Sequence, residues 1–276
     1  MVNWPAPARN PLGASVMKKT ITYIIFLLIV SWTIGFLLST FYPTNVRLEW
    51  GHLYMWTPGI LTLFWFLLNH ESFKGLKWAF KRPWWFYIIA IYFPLIYVLP
   101  EAFTQVLLNS ISYNFSTLSI FKELAIKLPF TAIIGLGIPV LGEELAWRGY
   151  LQDKLVSKMG QIKGVMTLGI VWAIWHLPEI MQKDDWVFTA FIFYPLFCIS
   201  LSFIIYWAMT KCNSIWIAVF IHAANNYIWG TVYNSATIHN ALAARITTLT
   251  FFVIVISFFV FYFRNQQYKM PAPNSV

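Results

Sequence analysis

Five polar residues and one arginine interrupt segments that are otherwise apolar. Glu143 and Glu144 stand side by side in VLGEELAWRGYL, with Arg148 one turn on; His176 lies in VMTLGIVWAIWHLPEI; His222 and Asn226 lie four apart in SIWIAVFIHAANNYIWG, on one helical face. Together these types form a hydrolytic set. A carboxylate can take a proton from water, an imidazole can orient that water or protonate a leaving amine, and a second imidazole with an amide can donate hydrogen bonds to a developing oxyanion. No serine or cysteine in the set is placed as a nucleophile with its own base, so water is the expected attacking group. Glu144 and Arg148 also have the i,i+4 spacing of an ordinary helical ion pair.

These residues are costly where they stand. The chain of 276 residues is 59% hydrophobic and 11% charged, with a mean hydropathy of +0.64, whereas a soluble domain is about a quarter charged. It reads as an all-α, polytopic transmembrane helix bundle. An acidic residue at a helix centre costs roughly 2.5–3.5 kcal/mol against about 0.5 gained per Leu or Phe. Two adjacent glutamates therefore imply buried partners or a task.

About eight spans are expected, near residues 20–41, 53–69, 84–99, 126–150, 165–180, 187–209, 214–230 and 246–263. Prolines 58, 94, 129 and 139 interrupt three of them, which neighbouring helices can accommodate. Of the nineteen Lys and Arg residues, all but Arg47, Lys122, Lys127, Lys183 and Arg245 fall on the side of the N-terminus. Basic residues collect in the cytoplasm, so the chain reads as a multi-pass cell-membrane protein with both termini cytoplasmic. The expected division is a tail at 1–19, spans at 20–124, a catalytic core at 125–231, a last loop and span at 232–264, and a tail at 265–276. From that orientation Glu143 lies about 10 Å, His222 about 14 Å and His176 about 20 Å from the cytoplasmic end, at about 1.5 Å per residue. They are expected to share an intramembrane polar cavity in the cytoplasmic half, open to the cytoplasm.

The spacing of these residues resembles the CPBP family of intramembrane proteases, which includes CAAX-processing endopeptidases and bacteriocin-processing or immunity proteins of the Abi type. EELAWRG at 143–149 is similar to its EExxxR motif, Trp172 with His176 to its aromatic-xxx-His motif, where Phe is more usual, and His222 with Asn226 to its HxxxN motif. The resemblance spans about residues 126–230. It implies an intramembrane endopeptidase in which Glu143 and His176 activate water, His222 and Asn226 stabilise the oxyanion, and Glu144 and Arg148 support the site. Trp in place of Phe at 172 is expected to change the site's shape and not its chemistry.

A metal remains open. Glu143 with two histidines offers donors for zinc and a fourth position for water, but no HExxH helix is present and a metal-free, glutamate-based hydrolase is favoured. Expected partners are a peptide or lipid-modified protein substrate and membrane lipids. The net charge of +9 is scattered between apolar runs, which argues against nucleic acid. Rival readings are a proton-coupled transporter, with the same residues as a relay, and a partner-binding bacteriocin immunity protein. Cys198 and Cys212 read as packing residues; His52, His70 and His239 as interfacial; Asp184 and Asp185 as solvated; Asn225 as a bond to a neighbouring helix; and Glu179, beyond Pro178, as without catalytic role.

Overall fold

Apolar runs punctuated by Pro and Gly give helices of unequal length, and the short ones carry the site. The computed structural model describes residues 11–41, 47–113, 122–182 and 185–268. Arg9, Lys183, Asp184 and Lys269 lie outside the described residues, as do the expectations attached to them.

Helix α1 (Pro11–Phe41) crosses the bundle, and α2 (Arg47–Met55) turns at its far end. Helix α3 (Thr57–Leu68) returns beside α1, with Pro58 in its first turn, where a missing N–H costs nothing. The Tyr23 and Thr62 hydroxyls, 2.7 Å apart, tie α1 to α3. After a 3₁₀ turn at Phe73–Leu76, α4 (Trp84–Tyr92) and α5 (Leu95–Leu107) form one path broken at Pro94. Strand β1 (Ile111–Tyr113) pairs antiparallel with β2 (Ala236–Ile238), Ile111 opposite Ile238.

Next come α6 (Glu123–Gly135) and α7 (Gly137–Met159), bent by 53° where Gly135, Gly137 and Pro139 weaken the helix. Helix α8 (Gln161–Trp175) starts after Gly160, whose φ of 77° suits glycine, and stops before Pro178. Helices α9 (Trp186–Cys212), α10 (Ile215–Asn234) and α11 (Ala241–Tyr268) complete the bundle. Helix α9 packs on α8, α10 and α11; α10 also packs on α4 and α7. Thr248 on α11 donates to Glu101 on α5 at 2.6 Å, deep in the interior.

Helices α3 and α7 cross at two glycines. A Cβ on Gly59 would lie 2.5 Å from the Gly142 carbonyl oxygen, and one on Gly142 would lie 2.6 Å from the Trp56 Cα. Backbone meets backbone there, one residue before Glu143.

The expected all-α membrane bundle is present; the expected count of eight spans is not confirmed. Among the described residues, four helical segments are long and apolar enough to cross a bilayer: Val16–Leu38, Trp84–Leu107, Trp186–Cys212 and Ala241–Gln266. The bent pair α6 and α7 makes a fifth if it is one span. Helices α3 and α8 have 12 and 15 residues, short of the roughly 17–25 a crossing helix needs. Helix α10 has 20, but His222, Asn225 and Asn226 lower its apolarity. Ile25, Ile29, Phe258 and Phe261 point outward from α1 and α11, as a lipid-facing surface requires.

The two ends of the bundle differ in charge. One end holds the start of α1, the connections α3–α4, α7–α8 and α9–α10, and the end of α11. There Lys19 and Lys154 both pair with Glu71, at 2.7 and 3.4 Å, Lys77 pairs with Asp153 at 2.7 Å, and Arg82 Nε donates to the Lys211 carbonyl at 2.9 Å. Burial pushes the Glu71 carboxyl up, but the hydrogen bonds and charges of Lys19 and Lys154 outweigh it and hold it below the usual glutamate value. At the opposite end Arg245 meets Asp185 at 2.7 Å and Lys127 pairs with Glu123, so these two basic groups are matched by acids.

Candidate active site

Consecutive residues on an α-helix point about 100° apart, and α7 uses that to send its two glutamates into different surroundings. Glu143, 1% exposed, lines a cavity of ≈ 590 Å³ between α2, α7, α8, α9 and α10. Its Oε2 accepts from Trp172 Nε1 at 2.8 Å and Trp147 Nε1 at 3.4 Å. Oε1 has no protein partner among the described residues, which leaves one carboxylate oxygen held and one available.

Glu144 faces protein. Its Oε1 accepts from Arg148 at 2.9 Å and from His222 Nδ1 at 2.8 Å, and all three side chains are buried. The Arg148 guanidinium also donates to Ser202 at 3.3 Å and lies 4.5 Å over the Trp172 ring. A π-helical turn at Trp147–Leu151 carries Arg148 inward, a local distortion that recurs at functional sites. The i,i+4 pair legible in the sequence is therefore fully interior.

With Nδ1–H given to Glu144, a neutral His222 has Nε2 as an acceptor; Nε2 donates only when the ring is doubly protonated. Asn226, one turn further, has a fixed polarity of another origin. Tyr97 donates to Asn225 Oδ1 at 2.7 Å and Asn225 Nδ2 to Asn226 Oδ1 at 3.4 Å, so the Asn226 amide N–H groups are left for the cavity it lines. Asn225 does bond a neighbouring helix, as its position suggested.

His176 caps the end of α8 among Trp175, Tyr194 and Trp172, with ring centroids 4.7, 4.9 and 6.2 Å away. Its Nδ1 lies 3.4 Å from Glu179 Oε2. The cavity thus gathers Glu143, His176, His222 and Asn226, while Glu144 and Arg148 lie behind it. Aromatic side chains, among them Tyr54, Phe193, Phe197 and Trp229, form much of the remaining wall, and Tyr54 stacks on Trp175 at 4.8 Å.

Three structural features add to the sequence reading. Trp172 supplies a hydrogen bond that Phe lacks, so its difference is chemical as well as steric. Glu179 joins the cavity wall and faces His176, a contact its i,i+3 spacing could have signalled. The cavity's lining extends toward the bundle end where Glu179 and His52 sit, opposite the basic connections, because α8 is short and His176 stands at its far terminus.

The donors do not form a zinc site as they stand. Among the described residues no three His, Cys, Asp or Glu side chains come close enough to hold a metal. The Glu143 oxygen turned to protein takes indole N–H groups, and His222 Nδ1 is engaged by Glu144.

Residues 125–228 match the family described as Type II CAAX prenyl endopeptidase Rce1-like. Over this segment the chain is similar to the CAAX-protease family. A CAAX prenyl protease 2 from Methanococcus maripaludis is 36% identical over 88 residues, which cover 29% of this chain and 32% of that protein. The chain thus aligns with about a third of the curated relative's length. The family segment runs from α6 into α10 and contains Glu143, His176, His222 and Asn226. The similarity is to proteases of the CAAX-processing type, and it lends nothing to the bacteriocin-immunity reading.

Proposed function

We propose that this chain is an intramembrane endopeptidase of the CAAX-protease type that cleaves a peptide or lipid-modified protein with an activated water. The observation that carries this is the convergence of Glu143, His176, His222 and Asn226 from three helices on one cavity. In this reading Glu143 Oε1 takes a proton from water, with Oε2 held by Trp172 and Trp147. The resulting hydroxide adds to the scissile carbonyl, and the oxyanion accepts hydrogen bonds from the Asn226 amide and from His222 when that ring is doubly protonated. The C–N bond then breaks as a proton passes to the departing amine from Glu143 or from a His176 imidazolium, which Glu179 stabilises through Nδ1.

Glu144 and Arg148 act as positioning residues: they fix the His222 ring and touch no reacting atom. Metal-free chemistry is favoured because, among the described residues, no three His, Cys, Asp or Glu side chains come close enough to share a metal ion. The test is cleavage of reporter peptides, prenylated and unprenylated, by purified protein in detergent, with and without chelator. Wild type is expected to cut and Glu143→Ala and His176→Ala to lose at least 10³-fold in rate while remaining folded, roughly the loss of a general base. Full activity in either variant would sink the assignment. Chelator-sensitive cleavage would overturn the metal-free part alone.

A further inference from the structure

Resting on the protease reading, the geometry points to a catalytic cavity open on the extracytoplasmic face, so that the substrate is a polypeptide presented from outside: a translocated peptide or the outer segment of a membrane protein.

Two independent asymmetries run along the same axis. The first is charge. Lys18 and Lys19, Lys77, Lys81 and Arg82, Lys154, Lys158 and Lys163, Lys211 and Arg264 all lie at the end that holds the α3–α4, α7–α8 and α9–α10 connections. Among the described residues, Glu71 and Asp153 are the acids that oppose them in contacts there. At the other end Lys127 and Arg245 are paired with acids. Basic connections are retained in the cytoplasm, and the bias sets orientation.

The second asymmetry is access. The cavity's outer wall comes from Gly51 and His52 of α2, Glu179 beyond the end of α8, and Phe193 near the start of α9. All lie toward the end with few unmatched basic groups, and Gly51 and His52 are exposed. Toward the basic end the cavity stops at Glu143 and His222. Below them Trp147, Arg148, Tyr150 and Leu151 are all at most 3% exposed. The 3₁₀ turn at Phe73–Leu76 packs over this layer: a Cβ on Gly149 would lie 2.8 Å from Leu76 Cδ2. A separate hollow of ≈ 300 Å³ at the basic end, between Lys19, Glu71, Tyr150 and Lys154, shares no lining residue with the catalytic cavity. A peptide approaching from the basic side meets packed side chains; one approaching from the other side meets an open wall leading to Glu143.

The test uses the full chain in right-side-out and inverted membrane vesicles. Gly51→Cys, whose Cβ enters open space, reports the cavity mouth, and the exposed Lys158→Cys reports the basic end. Wild type, with Cys198 and Cys212 both buried, is the blank for a membrane-impermeant maleimide. A peptide library carrying a charged, impermeant fluorogenic tag is added to the same vesicles and to detergent-solubilised protein. The expected result is labelling of Gly51→Cys in right-side-out vesicles and of Lys158→Cys only after inversion. Cleavage is expected at least tenfold faster in right-side-out than in inverted vesicles, and absent with Glu143→Ala. Labelling or Glu143-dependent cleavage with the opposite sidedness overturns the inference and leaves the protease reading intact. No cleavage even in detergent overturns the protease reading and the substrate assignment with it, while the labelling still decides which face the cavity meets.

Discussion

Trp172 Nε1 donates to Glu143 Oε2 at 2.8 Å, joining α8 to α7 at the base of the cavity. A hydrogen bond to a charged group contributes about 1.5–3 kcal/mol, and a tenfold rate change corresponds to about 1.4 kcal/mol. Trp172→Phe keeps the ring and removes the donor. It is expected to lower kcat roughly ten- to hundredfold in reporter cleavage with little change in melting temperature. Trp147→Phe, whose donor sits at 3.4 Å, should cost less. Equal losses in the two variants would contradict this ordering.

Arg148 is the counter-charge to a carboxylate with no access to water. Removing one partner of a buried pair costs about 3–5 kcal/mol, because it strands the other charge. Arg148→Met should therefore unfold the protein at markedly lower temperature in detergent. The double variant Glu144→Gln with Arg148→Met should be less destabilised than the sum of the single changes. Strict additivity in thermal melts would mean that the two side chains do not act as a pair.

Glu179 lies 3.4 Å from His176 Nδ1, and its side chain is 53% exposed, so solvent weakens the interaction. Glu179→Gln is expected to lower kcat severalfold with KM unchanged, and Glu179→Asp to restore part of it. A KM effect alone would assign Glu179 to substrate binding and not to His176.

Glu71 joins α1 to α7 through Lys19 and Lys154. Its folded carboxyl titrates below the ordinary 4.5, burial opposing and the two lysines prevailing. The contribution is therefore fully present above the unfolded value and is lost as pH falls through the folded one. The stability difference between wild type and Glu71→Gln should be constant near neutrality and shrink below about pH 4.5, measured by melting in detergent across pH. A gap that widens on acidification would reverse the sign of the argument.

Much of this architecture was legible because the membrane makes polar residues conspicuous. Glu143, His176, His222 and Asn226 stand out against apolar neighbours, and their helical spacing brings them to one cavity. What escaped were contacts made by residues that look ordinary in a membrane. Trp147 and Trp172 are two of fifteen tryptophans, and nothing local distinguishes an indole that binds lipid headgroups from one that binds a carboxylate. Glu101, buried against Gln105 and Thr248, escaped because its partner on α11 lies 147 residues away. A break in the helix also escaped: hydropathy extends through Pro178, whereas α8 ends at Trp175 and helix resumes as one turn at Leu177–Ile180, leaving His176 at the break toward the cavity mouth.

The meeting of Gly59 and Gly142 bears on how this protein will look to genetics. Neither residue has a side chain to offer a substrate, yet each sits where a single added carbon would strike another helix's backbone. Because Gly142 adjoins Glu143 and its contacts are Met55 and Trp56, beside the cavity wall, any displacement there moves the base relative to the wall that receives the peptide. A saturation scan scored by cleavage will therefore outline a sensitive patch wider than the reacting groups. The patch extends onto α3, a helix that contributes no reacting atom.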